Sequence, residues 1–271
     1  MQKILAVTTY NRLIFLQEMI YSFFKYTPDL KDWILIIADD GSSDGTQKFI
    51  ENLDFSKIIK IYNKRSGISN QTNSIFLEIS KFQNFICFKA DDDMLFIKEG
   101  WDKLYLNAID ATGFQHLCFD HYLFNQFGEF KKNVFKEPIT KNSILARTPA
   151  QYVKGCFYTI TDSILKSVGY MDSNVFFHGL EHVDYSMRCA RAGFNDINHI
   201  FDAKNSDLFL SYRFPVLGQD KPSLESCIYK INGNGKLKTS IKKRVLMTPT
   251  RIFIDYNKNP KKIIDSVKYF L

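Results

Sequence analysis

Four short apolar runs, each stopped abruptly by polar residues, limit what this chain can fold into. Residues 4–8 (Ile-Leu-Ala-Val-Thr), 33–38, 58–62 and 84–89 are almost continuously apolar and read as strands buried on both sides. Between them the spacing turns helical: Leu13, Leu16, Ile20, Phe23 and Phe24 recur on one side, and residues 47–53 and 68–80 read as two further helices. Buried strands alternating with helices predict an α/β fold with a mostly parallel, Rossmann-like central sheet flanked by helices on both faces. With 271 residues and 45% hydrophobic content, the chain can bury a large core.

In such a sheet, ligands bind beyond the carboxyl ends of the strands. Four successive strand ends here carry polar residues: Thr8 to Arg12, Asp39 to Gly41, Asn63 to Gly67, and Asp91 to Asp93. One polar strand end is ordinary, whereas four on one rim predict a site. The Asp91-Asp92-Asp93 triplet is the most demanding, because three adjacent anions are costly to bury without a cation among them. A hard divalent ion, which prefers oxygen ligands, meets that demand; a plain polar turn is the alternative. On an extended backbone Asp91 and Asp93 face one way and Asp92 the other. The string Asp39-Asp40-Gly41-Ser42-Ser43-Asp44-Gly45-Thr46 has strong turn chemistry and offers an N-cap to the helix at 47–53.

Thr9-Tyr10-Asn11-Arg12, the Asp39 to Thr46 string, Asn63 to Asn73 and the Asp triplet together resemble the nucleotide-binding half of the GT-A glycosyltransferases, in particular the large inverting family 2. The likeness is close over residues 3–95 and looser over 150–200. It implies a GT-A domain at 1–215, with a nucleotide-sugar half at 1–95 and an acceptor and catalytic half at 96–215, followed by a basic appendage at 216–271. It implies that Thr8, Tyr10 and Arg12 lie at the nucleotide, with Thr8 and Tyr10 against base and ribose. Asp39 would accept from a base N–H, uracil first, with Asp40 beside it. Arg65 would sit in a loop closing over the nucleotide, and Asn73 on the helix that follows. The triplet would hold Mn²⁺ or Mg²⁺ against the diphosphate. Spacing favours Asp91 and Asp93 as the ligands, whereas matching Met94-Leu95 to the family's apolar pair favours Asp92, so all three stand. The Gly-x-Gly-x-x-Gly and P-loop motifs of other nucleotide sites are missing.

A second constellation runs from His178 to Phe194. From Glu181 it reads as a helix with Val183, Met187 and Ala190 on the core side and Gly193 as its stop. The family carries a Glu-Asp pair here that supplies the general base for the acceptor hydroxyl. In this chain the pair is Glu181-His182, and either group serves as a base near neutral pH, with Asp184 capping or orienting. His178, Glu181 and His182 also spell an inverted zinc-peptidase motif, which Gly179 and the loop-like Phe176-Phe177 weaken. His199 falls where some GT-A enzymes place a third metal ligand. His116 and His121, near a strand-like stretch at 116–122, read as structural.

Elsewhere the pattern predicts a helix at 98–111, a hairpin-like turn at 127–129 leading into 130–135, a polar loop at 137–149, a strand at 153–160 with Gly155 where a side chain does not fit, and a helix from the Thr161 cap to Ser167. A short helix at 222–229 and a flexible joint at 233–235 lead to the tail. From Lys236 onward ten Lys and Arg face two acids, a net of +8, so the remainder carries 7 − 8 = −1. The basic character belongs to the tail, which argues against a nucleic-acid-binding body; the tail reads as lying on an anionic membrane surface or on a partner chain, with a basic helical cap packed on the body as the alternative. Five widely spaced cysteines without a Cys-x-x-Cys indicate neither a disulfide framework nor a cysteine zinc site. The N-terminal apolar stretch is too short for a signal peptide, so a cytoplasmic protein, peripheral on the inner face of the membrane, is expected.

The sequence thus predicts a metal-dependent inverting transferase of the hexosyl or N-acetylhexosaminyl class. Its donor would be a nucleotide sugar, UDP-linked, and its acceptor a glycan or lipid-linked oligosaccharide, as in surface polysaccharide synthesis. A zinc hydrolase and a catalytically silent nucleotide-sugar-binding module are the alternatives.

Overall fold

The computed structural model describes residues 1–119, 122–124, 130–132, 137–138, 144–149, 155–173, 181–213 and 253–256. Four of the predicted strands, β1 (Gln2–Thr9), β2 (Trp33–Asp39), β3 (Ile58–Tyr62) and β4 (Phe85–Asp91), pair in parallel, and β10 (Phe157–Thr161) closes the edge antiparallel to β4. The order is β10-β4-β1-β2-β3. Because β1 sits between β2 and β4, Thr8 stands opposite Ala38 on one side and Asp91 on the other. All four polar strand ends therefore reach one rim.

Successive residues of β1 feed opposite cores, as the pleat requires. Leu5 and Val7 pack with Leu35, Ile37 and Phe88 beneath α1 (Leu13–Tyr26), α2 (Thr46–Glu51) and α4 (Trp101–Thr112). Ile4 and Ala6 pack with Ile34, Ile36 and Cys87 beneath α3 (Ile68–Ile79), α5 (Asp162–Val168) and α6 (Glu181–Arg191). Trp101 fills the first core, its ring 4.9 Å from Phe88 and 4.4 Å from Phe96. The Thr161 cap is formed, with its hydroxyl accepting from the Ile164 amide at 3.3 Å.

Two expectations fail on packing grounds. Of the strand foreseen at 116–122, residues 116–119 form only a bridge from Cys118 to Tyr158, 120–121 lie outside the described residues, and Tyr122 begins the separate strand β6 (Tyr122–Phe124). The backbone of 116–119 divides itself between neighbours, Phe119 bonding Phe157 while Cys118 bonds Phe201, so no continuous ladder forms. The polar stretch 137–149 contains β8 (Glu137–Pro138) and β9 (Leu145–Pro149), because β9 is paired by β11 (His199–Ala203) despite its polar residues. The foreseen hairpin is present as β6 (Tyr122–Phe124) against β7 (Phe130–Lys132), while β5 (Met94–Phe96) pairs β12 (Leu210–Tyr212). The strand foreseen from 153 begins at Phe157, with 151–154 outside the described residues. His121, the helix at 222–229 and the joint at 233–235 also lie outside them.

His116 is fully buried, consistent with its structural reading. Its Nδ1 lies 2.9 Å from the Thr159 carbonyl, so that nitrogen donates, and Nε2 lies 2.9 Å from the Ser186 hydroxyl. Burial lowers its pKa to about 4, the Thr159 bond opposing. A histidine held neutral this way contributes stability that is complete above its unfolded pKa of about 6.5 and is lost as pH falls toward about 4. At about 1.4 kcal/mol per pH unit, the loss amounts to about 3 kcal/mol. Urea titrations at pH 7.5 and pH 4.5 should show this loss in the wild type and a smaller one in His116→Gln. Equal acid sensitivity in the two would refute the assignment.

Candidate active site

The Asp triplet at the end of β4 is held by protein cations. Arg12 donates from Nη1 to Asp92 at 2.9 Å and from Nη2 to Asp93 at 3.0 Å. Asp92 is buried, and its second oxygen accepts from the Thr9 hydroxyl at 2.7 Å. Asp91 pairs with the buried Lys89, two residues back on the same face of the strand, and accepts from Thr8 at 3.1 Å. Burial pushes the Asp92 carboxyl up to about 7; Arg12 and Thr9 oppose this, while Asp93 and Asp91 add to it. Asp93 is raised as well, by burial first, against Arg12. Desolvation works against the charge on Arg12, but Asp92 and Asp93 outweigh it and raise its pKa. Asp91 and Asp93 are the open members, with side chains 32% and 26% exposed against 3% for Asp92.

The second strand end presents a different carboxylate. Asp39 is fully buried, and one of its oxygens accepts from Gly41 N at 3.1 Å, Ser42 N at 2.9 Å and Gln47 Nε2 at 2.7 Å. Its other oxygen is buried without a hydrogen-bond partner among the described residues. The same is true of the Nδ2 amide of Asn63, whose backbone N–H donates to the Asp39 carbonyl at 2.8 Å. An acceptor and a donor, both desolvated and unsatisfied, thus sit on adjacent strand ends, an arrangement that costs stability unless a ligand completes it.

Asp40 and Asn73 both bond the protein's own backbone. Asp40 accepts from Arg65 Nη1 at 2.5 Å, Ser66 N at 2.8 Å, Ser66 Oγ at 2.9 Å and Gly67 N at 2.9 Å, and so shapes the Arg65–Gly67 loop. Arg65 then lies 3.7 Å above the Tyr10 ring, joining two of the predicted residues. Asn73 is buried, with both ends of its amide on the Met171 backbone at 2.8 and 3.0 Å.

Glu181 and His182 open α6, with His182 Nδ1 3.1 Å from Glu181 Oε1. Gly155 makes room for this imidazole: a Cβ there would stand 2.6 Å from the His182 ring. The next residue, Cys156, accepts the Asp91 amide at 2.8 Å, so the histidine is tied to the edge of the triplet through two consecutive backbone units. Tyr158 lies in the electrostatic reach of both groups. Burial first, then Tyr185, Asp91 and Glu181, raises its phenol well above the ordinary value.

His199 opens β11. It is 38% exposed beside Asp196 at 3.8 Å, and among the described residues no three His, Cys, Asp or Glu side chains cluster as a metal cage. His178 lies outside the described residues. Thr9 and Asn63 stood in the sequence only as members of polar strand ends with no role of their own, and Tyr158 and Lys89 were not singled out. Lys89 left a signal: a lysine inside an apolar strand needs a buried anion, and Asp91 is the same-face neighbour.

The chain matches the model of glycosyl transferase family 2 over residues 4–165. It is 26% identical over 215 residues to an uncharacterized glycosyltransferase of Acanthamoeba polyphaga mimivirus, covering 76% of this chain and 79% of that one. Among solved structures it resembles the mannosyltransferase PcManGT from Pyrobaculum calidifontis in complex with GDP-Man and Mn²⁺, at a TM-score of 0.54 and 13% identity, covering 73% of this chain and 56% of that one. It also resembles S. aureus TarS 1–349 in complex with UDP, at 0.53 and 18%, covering 70% and 55%. The chain spans little more than half the length of these two solved structures, which share its fold. With four converging strand ends and a family match over well over half its length, the chain belongs to glycosyl transferase family 2, a glycosyltransferase of GT-A fold.

Proposed function

We propose that the chain transfers a sugar, with inversion, from a UDP-sugar to a hydroxyl of a glycan or lipid-linked acceptor, using Mn²⁺ or Mg²⁺, as in surface polysaccharide synthesis. The observation that carries the donor is the unsatisfied pair at Asp39 and Asn63. Uracil offers an N–H flanked by carbonyls, and so meets one buried acceptor and one buried donor. Guanine offers a similar edge on a larger ring, whereas cytosine lacks the N–H. A donor-binding role also suits the solved relatives in complex with GDP-Man and with UDP.

The triplet suits a hard cation by its chemistry, since it supplies only carboxylate oxygens. Arg12 and Lys89 already compensate two of its three charges, and no three-ligand cage forms among the described residues. That fits an ion shared between one or two carboxylates and substrate phosphates. Asp91 and Asp93, the open members, would hold it. Bound there, it would neutralise the charge developing on the departing diphosphate.

His182 is the base in this reading. With Nδ1 on Glu181, the ring is fixed in the tautomer whose other nitrogen accepts a proton. That nitrogen takes the proton of the acceptor hydroxyl, the oxygen bonds to the anomeric carbon, and the bond to the diphosphate breaks on the opposite face, releasing UDP. The basic tail beyond Lys236 suits a peripheral contact with an anionic membrane. No helix among the described residues is long and apolar enough to cross one.

Calorimetry tests the donor site. UDP should bind with Mn²⁺ and lose at least about tenfold in affinity with EDTA, with Asp93→Ala, or with Asp39→Asn, which turns an acceptor into a partial donor. CDP should bind more weakly than UDP. Failure of UDP and GDP alike, with and without Mn²⁺, would sink the reading.

A UDP-sugar turnover assay tests the base. His182→Ala should lower kcat by about 10²–10⁴-fold with UDP affinity preserved. Gly155→Ala, which pushes the ring aside, should reproduce part of that loss. Unchanged kcat in His182→Ala would move the role to Glu181, and UDP binding without any turnover in the wild type would indicate a silent module.

A further inference from the structure

One strand of contacts leads from the far end of the chain to α6. Ile254 is 4% exposed and pairs in parallel with Gly169.

 Far along the chain from the sheet though it is, Ile254 is built into the body. Its N–H donates to the Val168 carbonyl at 3.0 Å, and its carbonyl accepts from the Tyr170 N–H at 2.9 Å. The Tyr256 ring lies 5.6 Å from that of Tyr170. Gly169, with φ +72°, admits this approach, since a Cβ there would stand 2.1 Å from the Ile254 oxygen.

The stretch from Val168 to Met171 that receives the segment is where the two halves of the site are fastened. The Val168 and Tyr170 carbonyls accept from Arg188 Nη1 and Nη2, both at 2.8 Å. Arg188 is 1% exposed, and its Nε donates to Asp184 at 2.8 Å, one helical turn from the start of α6. Met171 takes both ends of the Asn73 amide, and α3, which carries Asn73, begins directly after the Arg65–Gly67 loop. A buried guanidinium holds its place only while its carbonyl partners hold theirs. Ile254 supplies the only described partner of the Tyr170 N–H and a second bond to Val168.

We propose that Phe253–Tyr256 is a positioning element of the active site: by pairing with Val168 and Tyr170 it sets the carbonyls that hold Arg188, and through Arg188 it sets the register of α6 and of Glu181 and His182. The catalytic unit therefore includes a piece of the C-terminal stretch. The positioning role rests on the reading of His182 as the base, while the coupling of the segment to α6 stands without it.

The test uses the full chain in two variants that release the segment by different routes. Gly169→Ala blocks the approach of the Ile254 carbonyl, and Ile254→Asp places a carboxylate in a buried apolar site. Hydrogen exchange read by mass spectrometry should quicken by about tenfold or more across Glu181–Arg191 in both, with β1, β2 and β4 as protected as in the wild type. UDP affinity should stay within about twofold, and kcat for UDP-sugar turnover should fall by about tenfold with little change in KM. Unchanged exchange in α6, or an equal rise throughout the sheet, would overturn the proposal. If either variant does not fold, the other carries the test. If the wild type turns over no UDP-sugar, the exchange data still decide the coupling, so failure of the functional reading is distinguishable.

Discussion

Three carboxylates on consecutive residues at the end of a buried strand set the terms for this structure. At an effective dielectric of about 20, two like charges about 4 Å apart repel by about 4 kcal/mol, so the triplet cannot stand uncompensated. Arg12 answers Asp92 and Asp93 from the loop after β1, and Lys89 answers Asp91 from within β4. Arg12 follows β1 directly and Lys89 lies within β4, and these two strands lie side by side, so the same pairing that builds the sheet also brings both cations to its most charged point. The residual charge is −1, low enough to fold around and still attractive to a cation arriving with phosphate.

The parallel sheet explains why the site lies where it does. β1 between β2 and β4 levels Thr8, Asp39 and Asp91 at one rim, and the crossover helices keep the strands dry. Each rim loop is then secured by a carboxylate with a structural task. Asp40 gathers the Arg65–Gly67 loop, and Asp44 accepts from Leu13 N at 3.0 Å and Thr46 N at 3.1 Å, joining the starts of α1 and α2. Of the acids in this string, Asp39 alone combines full burial with an oxygen lacking a partner among the described residues, which separates a ligand-seeking group from its structural neighbours.

The start of α6 is organised from behind. Arg188, Asn73 and Ile254 converge on the backbone of Val168–Met171, three side chains or segments from α6, α3 and the C-terminal stretch. Gly155 then admits the His182 ring at the front. The imidazole needs that space, since a Cβ at Gly155 would stand 2.6 Å from it, so the glycine and the histidine are a matched pair.

Much of this was legible in the residues. Continuous apolar runs and helical spacing located β1 to β4, α1 and α3, since burial on both faces leaves few other readings. The polar stops placed the rim, the Glu181-His182 pair stood out through the resemblance to the family, and Gly155 was legible as a place where a side chain does not fit. What the residues alone could not decide was how each polar group spends its hydrogen bonds. Asp39 and Asp40 are adjacent and identical, yet one keeps an oxygen unsatisfied and the other is consumed by a loop 25 residues away. The sequence determined which strands are buried and where the charges fall, because periodicity and composition are local. Only the tertiary structure decided which charges pair, which carboxylates stay open and that Ile254 returns to Gly169, because those outcomes depend on contacts between segments far apart in the chain.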